Sequence, residues 1–255
     1  MLHLDDRARW DSLHHARGPA SDVPALLEGL ASETEQHLDS LRAALLHQSM
    51  VYPATYAAVP YVVAIAESKP PHEQVALLDF VATVALHAPK SAPPPPELYA
   101  SYNAALSRAS DQILAALARR PSDEHDALSL LRGFATVKSC TTAAHALTAL
   151  VEDRLAMSCP ACSARLSVRN DGEVLSVTVA DPLHPPTPVE AWSEATAALD
   201  GPTRDFSEDS SASWLAALAV TAGHRRLATL VCQLYGTAQC PSCAHRFELL
   251  GAARG

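Results

Sequence analysis

Two matched cysteine knuckles constrain the fold of this chain more than any other feature. They read C-P-A-C at residues 159–162 and C-P-S-C at residues 240–243, and an apolar strand pattern begins four residues after each. Two C-x-x-C pairs can supply all ligands of one tetrahedral site, and thiolates suit zinc because this ion is borderline-soft and geometrically undemanding. The sequence therefore predicts one structural Zn²⁺ ion, bound by Cys159, Cys162, Cys240 and Cys243.

Other interpretations of the two pairs stay open. A single C-x-x-C can be a redox pair at a strand-to-helix junction, whereas each pair here precedes a strand pattern. Two disulfides are a further alternative, although nothing in the sequence indicates an oxidising compartment. Residues 163–239 separate the pairs, which is far more than the ~15–20 residues of a compact ribbon, so we expect an insertion. Cys140 and Cys232 lie in apolar helical patterns and are expected to be buried thiols.

Helical periodicity dominates the residues before the first knuckle. Apolar residues recur at helical spacing in segments at about 23–30, 33–47, 53–65, 72–87, 97–119, 123–137 and 140–156. The pairs Val23-Pro24 and Val59-Pro60 open similar phrases, and aligning them sets a period of 36 residues. This is the size of one helix pair in an α-solenoid. We expect Val23, Leu26 and Leu27 to pack against Leu41 and Leu45.

After the first knuckle the pattern changes to strands and then returns to helices. Residues 170–172 read Asn-Asp-Gly, a hairpin turn signal, and apolar alternation continues to Val179. The proline-rich residues 181–188 predict a rigid linker, and residues 200–212 predict an acidic loop. Helices are predicted at about 188–199, 213–223 and 224–235.

The net charge and the hydropathy pattern of the chain limit the ligands that it is expected to bind and the location that it is expected to have. The chain has 28 acidic and 19 basic side chains and a formal net charge of −9, which disfavours nonspecific nucleic-acid binding. The first residues show no basic segment followed by an apolar one, so no signal peptide is predicted. No stretch approaches about eighteen uninterrupted apolar residues, so no membrane span is predicted. Cysteines in metal-like spacing fit a reducing compartment, and the expected location is the cytoplasm.

No sequence motif indicates an enzyme. The chain lacks G-x-S-x-G, H-E-x-x-H and a glycine-rich phosphate loop, and it contains only nine glycines. His14 and His15 would point about 100° apart on a helix and chelate a metal poorly. His184, His224 and His245 are alternative metal ligands near the knuckles. We therefore expect a non-enzymatic protein, with a zinc metalloenzyme that has an open coordination position as an alternative.

The N-terminal phrases resemble a group of bacterial proteins. The sequences L-H-H-A-R-G-P-A-S-D-V-P at 13–24 and H-Q-S-M-V-Y-P-A-T at 47–55 resemble the opening of uncharacterised bacterial HEAT-repeat-like proteins. The ending Y-G-T-A-Q-C-P-S-C at 235–243 is similar to half of a zinc ribbon in some of the same proteins. The resemblance implies an interaction scaffold, either an adaptor or an immunity-type protein that binds a toxin. It implies no catalytic residue.

Taken together, these observations predict a mainly α fold in two domains. Residues 1–156 are expected to form HEAT-like antiparallel helical repeats, an α-solenoid with a right-handed stack. Residues 157–255 are expected to form a small β zinc-ribbon module, interrupted by a helical insertion at about 188–236. A repeat stack offers an extended surface for binding rather than a site for chemistry.

The predicted contact region for a protein partner lies at the junctions of the first two repeats. Aromatic and arginine side chains are enriched in binding hot spots, and this region contains several of them. The predicted partner-binding residues are His14, His15, Arg17, His47, Gln48, Tyr52 and Tyr56. The acidic loop at 200–212 is expected to steer a basic partner. The alternative is a zinc-ribbon nucleic-acid-binding or transcription-associated protein, which the acidic charge and the absence of aromatic–basic interleaving disfavour.

Overall fold

The protein is mainly helical, with small antiparallel sheets. The computed structural model describes residues 2–88, 91, 93–151, 155–170, 172, 174–179, 184–191 and 211–252. The chain divides into two compact units, residues 1–116 and 117–255. Within the described residues, no helix combines the length and apolar character needed to cross a membrane.

The N-terminal unit contains helices and two very short hairpins. Its elements are α1 (Arg7–Ser12), β1 (His14–His15), β2 (Gly18–Pro19), α2 (Val23–Ser32), α3 (Thr34–Leu45), β3 (Leu46–His47), β4 (Met50–Val51), α4 (Pro53–Glu67), α5 (Pro71–His87) and α6 (Pro96–Ala118). Helix α2 packs on α3 and α4 packs on α5, and the two pairs meet through α2 with α4 and α3 with α5. The predicted helix pairs are therefore present and lie side by side.

Aliphatic side chains at helical spacing fill the core of this unit. Leu27, Leu41 and Leu45 are buried between α2 and α3, as expected from their spacing. Burying one such side chain contributes about 1.5–3 kcal/mol. Leu26 is only half-buried, so it does not belong to the core as predicted. Leu30, one turn further along α2, is fully buried.

The two Val-Pro pairs are not structurally equivalent. Helix α2 begins at Val23, and Pro24 lies in its first turn. The backbone N–H groups of a first turn have no acceptor within the helix, so proline loses no hydrogen bond there. Helix α4 begins at Pro53 and continues through Pro60 to Glu67. The 36-residue alignment therefore matches the start of one helix with the interior of another. What recurs in this unit is a short hairpin followed by a helix, first before α2 and again before α4.

The C-terminal unit combines helices with the cysteine region. Its elements are α7 (Glu124–Val137), α8 (Thr141–Val151), β5 (Leu155–Ser158), β6 (Arg165–Asn170), β7 (Leu175–Val179), β8 (Thr187–Pro188), α9 (Ser211–Thr221), α10 (Arg225–Leu234), β9 (Thr237–Gln239), β10 (Arg246–Glu248) and α11 (Leu249–Ala252). Strands β5 to β8 form one antiparallel sheet in sequence order, and β9 pairs with β10. Helix α7 packs on α8 and α9, and α9 packs on α10.

Three expectations differ from the structure of this unit. Helices α7 and α8 belong to the unit that holds the cysteines, whereas the predicted boundary at 156 assigns them to the N-terminal repeats. Helix α8 ends at Val151, and Leu155 begins β5, because the alternating side chains of this segment pair with β6. A helix is predicted at 188–199, but residues Thr187–Pro188 form the short strand β8, which pairs with β7. The rest of that helix, from 192, and the acidic loop to residue 210 lie outside the described residues.

Candidate functional site

Each knuckle is a tight turn closed by two backbone hydrogen bonds. In the first, the N–H of Cys159 donates to the carbonyl of Ala164, and the N–H of Ser163 donates to the carbonyl of Cys159, both at 2.9 Å. The second knuckle makes the same two bonds at the equivalent positions, also at 2.9 Å. Each turn requires a left-handed residue directly after its second cysteine, namely Ser163 and Ala244, both with φ of 59°. The two knuckles therefore have the same local backbone structure.

Contacts between the segments that flank the knuckles hold the two halves together. Glu190 and Thr237 exchange backbone hydrogen bonds of 2.9 and 3.0 Å, and the hydroxyl of Thr187 donates to the carbonyl of Gln239 at 2.6 Å. The buried amide oxygen of Gln233 on α10 accepts the N–H of Leu175 on β7 at 2.9 Å. Strand β8, the last strand of the sheet that contains the first knuckle's strands, thus lies beside β9, the strand that enters the second knuckle.

The four knuckle cysteines form one cluster, as the sequence predicts. Their Sγ atoms all lie within 4.8 Å of one another, with Cys159 and Cys243 at 3.7 Å and Cys162 and Cys240 at 3.8 Å. A tetrahedron with Zn–S bonds of ~2.3 Å has edges of about 3.8 Å, whereas a disulfide bond is only ~2.05 Å long. Their thiols are free, and the cluster is close enough to hold a metal ion.

Burial differs within each knuckle. The first cysteine of each pair is buried, with Cys159 at 2% and Cys240 at 1% exposure. The second cysteines, Cys162 and Cys243, are exposed. The cluster therefore has a protected side and a solvent side.

The electrostatics of the cluster suit a cation. Burial raises the pKa of the Cys159 thiol, but hydrogen bonds from the backbone N–H groups of Cys162 and Ala161 and from neighbouring thiols bring it down to about 7. The N–H of His245 lowers the pKa of Cys243, but its hydrogen bonds with the other cysteines raise it to about 12. Four adjacent thiols resist complete ionisation because thiolates repel one another. A bound dication would remove this conflict, and thiolate is the form that binds metal.

The histidines considered as alternative ligands are not part of this cluster. The metal-capable group found among the described residues contains cysteines alone. His245 is exposed, and a ring nitrogen of His224 lies 2.8 Å from the carbonyl of Pro121. His224 thus has a structural partner within its own unit.

The two N-terminal hairpins lie next to each other. The N–H of Ala16, in the first hairpin, donates to the carbonyl of Ala44 in the last turn of α3, at 3.0 Å. Helix α4, which follows the second hairpin, also contacts β1. The exposed or half-exposed side chains of this region form what we call the hairpin surface, which comprises His14, Arg17, His47, Gln48, Met50 and Tyr52. Sequence reasoning missed Met50, which is 45% exposed opposite His47 in the second hairpin.

Two predicted partner-binding residues are structural. His15 is 6% exposed; its Nε2 lies 2.8 Å from an oxygen of Asp22, and its Nδ1 accepts the N–H of Arg17 at 2.9 Å. Tyr56 is 1% exposed and packs edge-to-face on Tyr102, with ring centroids 5.0 Å apart. The prediction that these two side chains contact a partner is therefore wrong, because contacts inside the unit already cover them.

The turn of the second hairpin is conformationally costly. Gln48 and Ser49, the two residues between the strands, have φ of 50° and 62°. Two-residue hairpins with both central residues in the left-handed region favour Asn-Gly, since other side chains crowd the backbone there. Local strain of this kind is concentrated at functional sites.

Comparisons with known proteins find no match to this chain among protein families, curated proteins or solved structures.

Proposed function

We propose that this chain is a non-enzymatic protein-binding scaffold whose C-terminal unit is held together by one structural zinc ion. The zinc assignment rests on the spacing of the four cysteine Sγ atoms, which all lie within 4.8 Å of one another. Two of their distances, 3.7 and 3.8 Å, match the edge of a zinc–thiolate tetrahedron. Four protein ligands fill a tetrahedral site and leave no position for water or substrate, which is typical of structural rather than catalytic zinc. The ion would join two knuckles that are far apart in sequence.

The scaffold role rests on the N-terminal unit. Its helices form neighbouring pairs that contact one another, an arrangement compatible with a HEAT-like stack. An adaptor or an immunity-type protein, which binds and neutralises a toxin, would use such a stack as a rigid support for a binding surface. Pairs of helices joined in this way present surface more readily than an enclosed catalytic cleft.

The hairpin surface is the proposed contact region for the protein partner. It combines tyrosine, arginine and methionine side chains, all enriched at interfaces, with exposed histidine and glutamine. Its second hairpin keeps Gln48 and Ser49 in left-handed conformations, where glycine or asparagine would fold more easily. A requirement for these side chains in binding explains why the costly turn is present.

Metal content tests the zinc assignment. Protein purified under reducing conditions without added metal should contain about one zinc ion per chain by elemental mass spectrometry. Replacing Cys159 or Cys240 by serine should abolish this zinc, because three thiolates hold the ion far more weakly. Cys140→Ser and Cys232→Ser are matched controls, since both cysteines are buried and lie outside the cluster. A reduced wild-type protein without bound metal would refute the assignment.

Binding tests the hairpin surface. A variant with His14, Arg17, His47 and Tyr52 changed to alanine should lose a protein that the immobilised wild-type chain captures from cell extract. With that protein purified, its affinity should fall at least tenfold, about 1.4 kcal/mol, without a lower melting temperature. The control is a His72→Ala and Tyr99→Ala variant, because both residues are exposed elsewhere on the same unit. Unchanged affinity in the hairpin variant would place the interface elsewhere, and equal loss in both variants would contradict a specific role of the hairpin surface.

One observation favours the nucleic-acid alternative. Arg165 and Arg169 are exposed on the same face of β6, and neither forms an ion pair with a described residue. A sheet face of this kind could contact phosphates, although the acidic chain opposes it. Binding to single- or double-stranded oligonucleotides that persists at ~200 mM salt, and that is lost in an Arg165→Ala and Arg169→Ala variant, would support this alternative.

A further inference from the structure

The cysteine cluster pairs each exposed sulfur with a buried sulfur from the other knuckle. Exposed Cys243 lies 3.7 Å from buried Cys159, and exposed Cys162 lies 3.8 Å from buried Cys240. An oxidant from solvent can therefore reach one sulfur of each pair while its partner stays protected. The second sulfur needs to move less than 2 Å to reach the ~2.05 Å of a disulfide bond.

We propose that this cluster is also a site of reversible oxidation, at which a peroxide converts the four thiolates into disulfides Cys159–Cys243 and Cys162–Cys240. Both disulfides would join the two knuckles. The proposal extends the proposed zinc site, since the same four sulfurs would alternate between binding metal and binding one another.

The chemistry balances with hydrogen peroxide as the oxidant. A bound dication would hold all four sulfurs as thiolates. An exposed thiolate attacks one peroxide oxygen, the O–O bond breaks, and hydroxide leaves, which gives a sulfenic acid at Cys162 or Cys243. The buried thiolate of the opposite knuckle then attacks that sulfur, and a second hydroxide leaves as the S–S bond forms. Each disulfide thus consumes one peroxide and transfers two electrons from two sulfurs to oxygen. A dithiol reductant returns two electrons and two protons and restores the thiols.

The pairing decides what oxidation does to the fold. Disulfides between the knuckles keep residues 163–239 closed into a loop, as the metal ion would, so the C-terminal unit keeps its architecture when the ion leaves. Disulfides within each knuckle would instead leave the two knuckles without a covalent or metal link to each other. The observed sulfur pairs favour the first outcome, because the distances of 3.7 and 3.8 Å both join a sulfur of one knuckle to a sulfur of the other.

The remaining cysteines act as internal controls. Cys140 and Cys232 are only 3% and 5% exposed, and both lie outside the four-cysteine cluster. Reaction with peroxide requires an accessible thiolate. Both residues should therefore stay reduced under conditions that oxidise the cluster.

The test treats the full-length, zinc-loaded chain with two equivalents of hydrogen peroxide. A chromogenic chelator should record release of about one zinc ion per chain, and peptide mapping without reduction should find disulfides between the two knuckles. Dithiothreitol followed by zinc should reverse both changes. Disulfides within the knuckles, oxidation to sulfinic or sulfonic acid, or thiols that survive treatment unchanged would each overturn the proposal.

Double variants test the pairing even if they bind no metal. A Cys162→Ser and Cys240→Ser chain keeps only the Cys159–Cys243 pair, and a Cys159→Ser and Cys243→Ser chain keeps only the other pair. Each should form its disulfide. A Cys162→Ser and Cys243→Ser chain keeps only the buried sulfurs and should react at least tenfold more slowly, because it lacks the exposed first nucleophile. Equal rates in all three would contradict the mechanism.

The two proposals fail in different ways. A reduced chain without zinc that still forms disulfides between the knuckles would refute the metal assignment alone. A chain that binds one zinc ion but forms disulfides within each knuckle would refute the oxidation proposal alone.

Discussion

Replacing Gln48-Ser49 by Asn-Gly should stabilise the N-terminal unit while weakening partner binding. Both residues lie in the left-handed region, with φ of 50° and 62°, and both side chains are exposed. The substitution therefore removes strain without removing a buried contact. Asn-Gly is the pair that a two-residue turn of this geometry favours.

The expected gain is small but measurable. A non-glycine residue in the left-handed region costs about 1–2 kcal/mol. Glycine at position 49 also lowers the free energy of unfolding by about 0.5–1 kcal/mol, because it increases the conformational freedom of the unfolded chain. This loss offsets part of the strain relief. Asparagine at position 48 tolerates the conformation and adds no such penalty. Together we expect about 1 kcal/mol of stabilisation, which for a unit of this size raises the melting temperature by about 4 °C.

Thermal and urea unfolding followed by circular dichroism would measure the change. Ser139→Gly is a matched control, since Ser139 has φ of 62° and is exposed two residues after the end of α7 in the C-terminal unit. Both substitutions should stabilise, but only the change at residues 48 and 49 should reduce affinity for the partner. A lower melting temperature in the Asn-Gly variant would show that the native side chains support the fold. The left-handed turn would then have a structural role and not a binding role.

Three further predictions concern stability. Leu78→Ala should cost about 2–5 kcal/mol in urea unfolding because this side chain is fully buried, whereas half-buried Leu26→Ala should cost less than half as much; equal costs would contradict the assigned burial. His15→Ala should destabilise the N-terminal unit by about 1–2 kcal/mol, since it removes two hydrogen bonds, and an unchanged melting temperature would contradict that structural role. Ser163→Gly should stabilise the zinc-loaded C-terminal unit by about 0.5–1 kcal/mol without changing its zinc content, because φ of 59° suits glycine; loss of zinc would show that the serine side chain supports the site.

Local patterns in the sequence were sufficient for the elements whose cause is local. Helical spacing predicts α5 at 72–87 and α6 at 97–119 within one residue of their observed ends. The Asn-Asp-Gly signal places the turn between β6 and β7, and the repeated knuckle motif identifies the four cysteines that the structure brings together. In each case the spacing of a few neighbouring residues dictates the backbone structure.

Contacts between distant segments decided the rest, and no local pattern carries that information. Strands of two residues, such as those flanking Gln48 and Ser49, are too short to show any periodicity. His15 and Tyr56 look like exposed binding residues in sequence, but Asp22 and Tyr102 cover them in the folded unit. Likewise, which cysteine is buried and which sulfur lies beside it depends on how the two knuckles meet. The sequence thus determined the ligand types, whereas packing across the long separation between residues 162 and 240 determined their exposure and pairing.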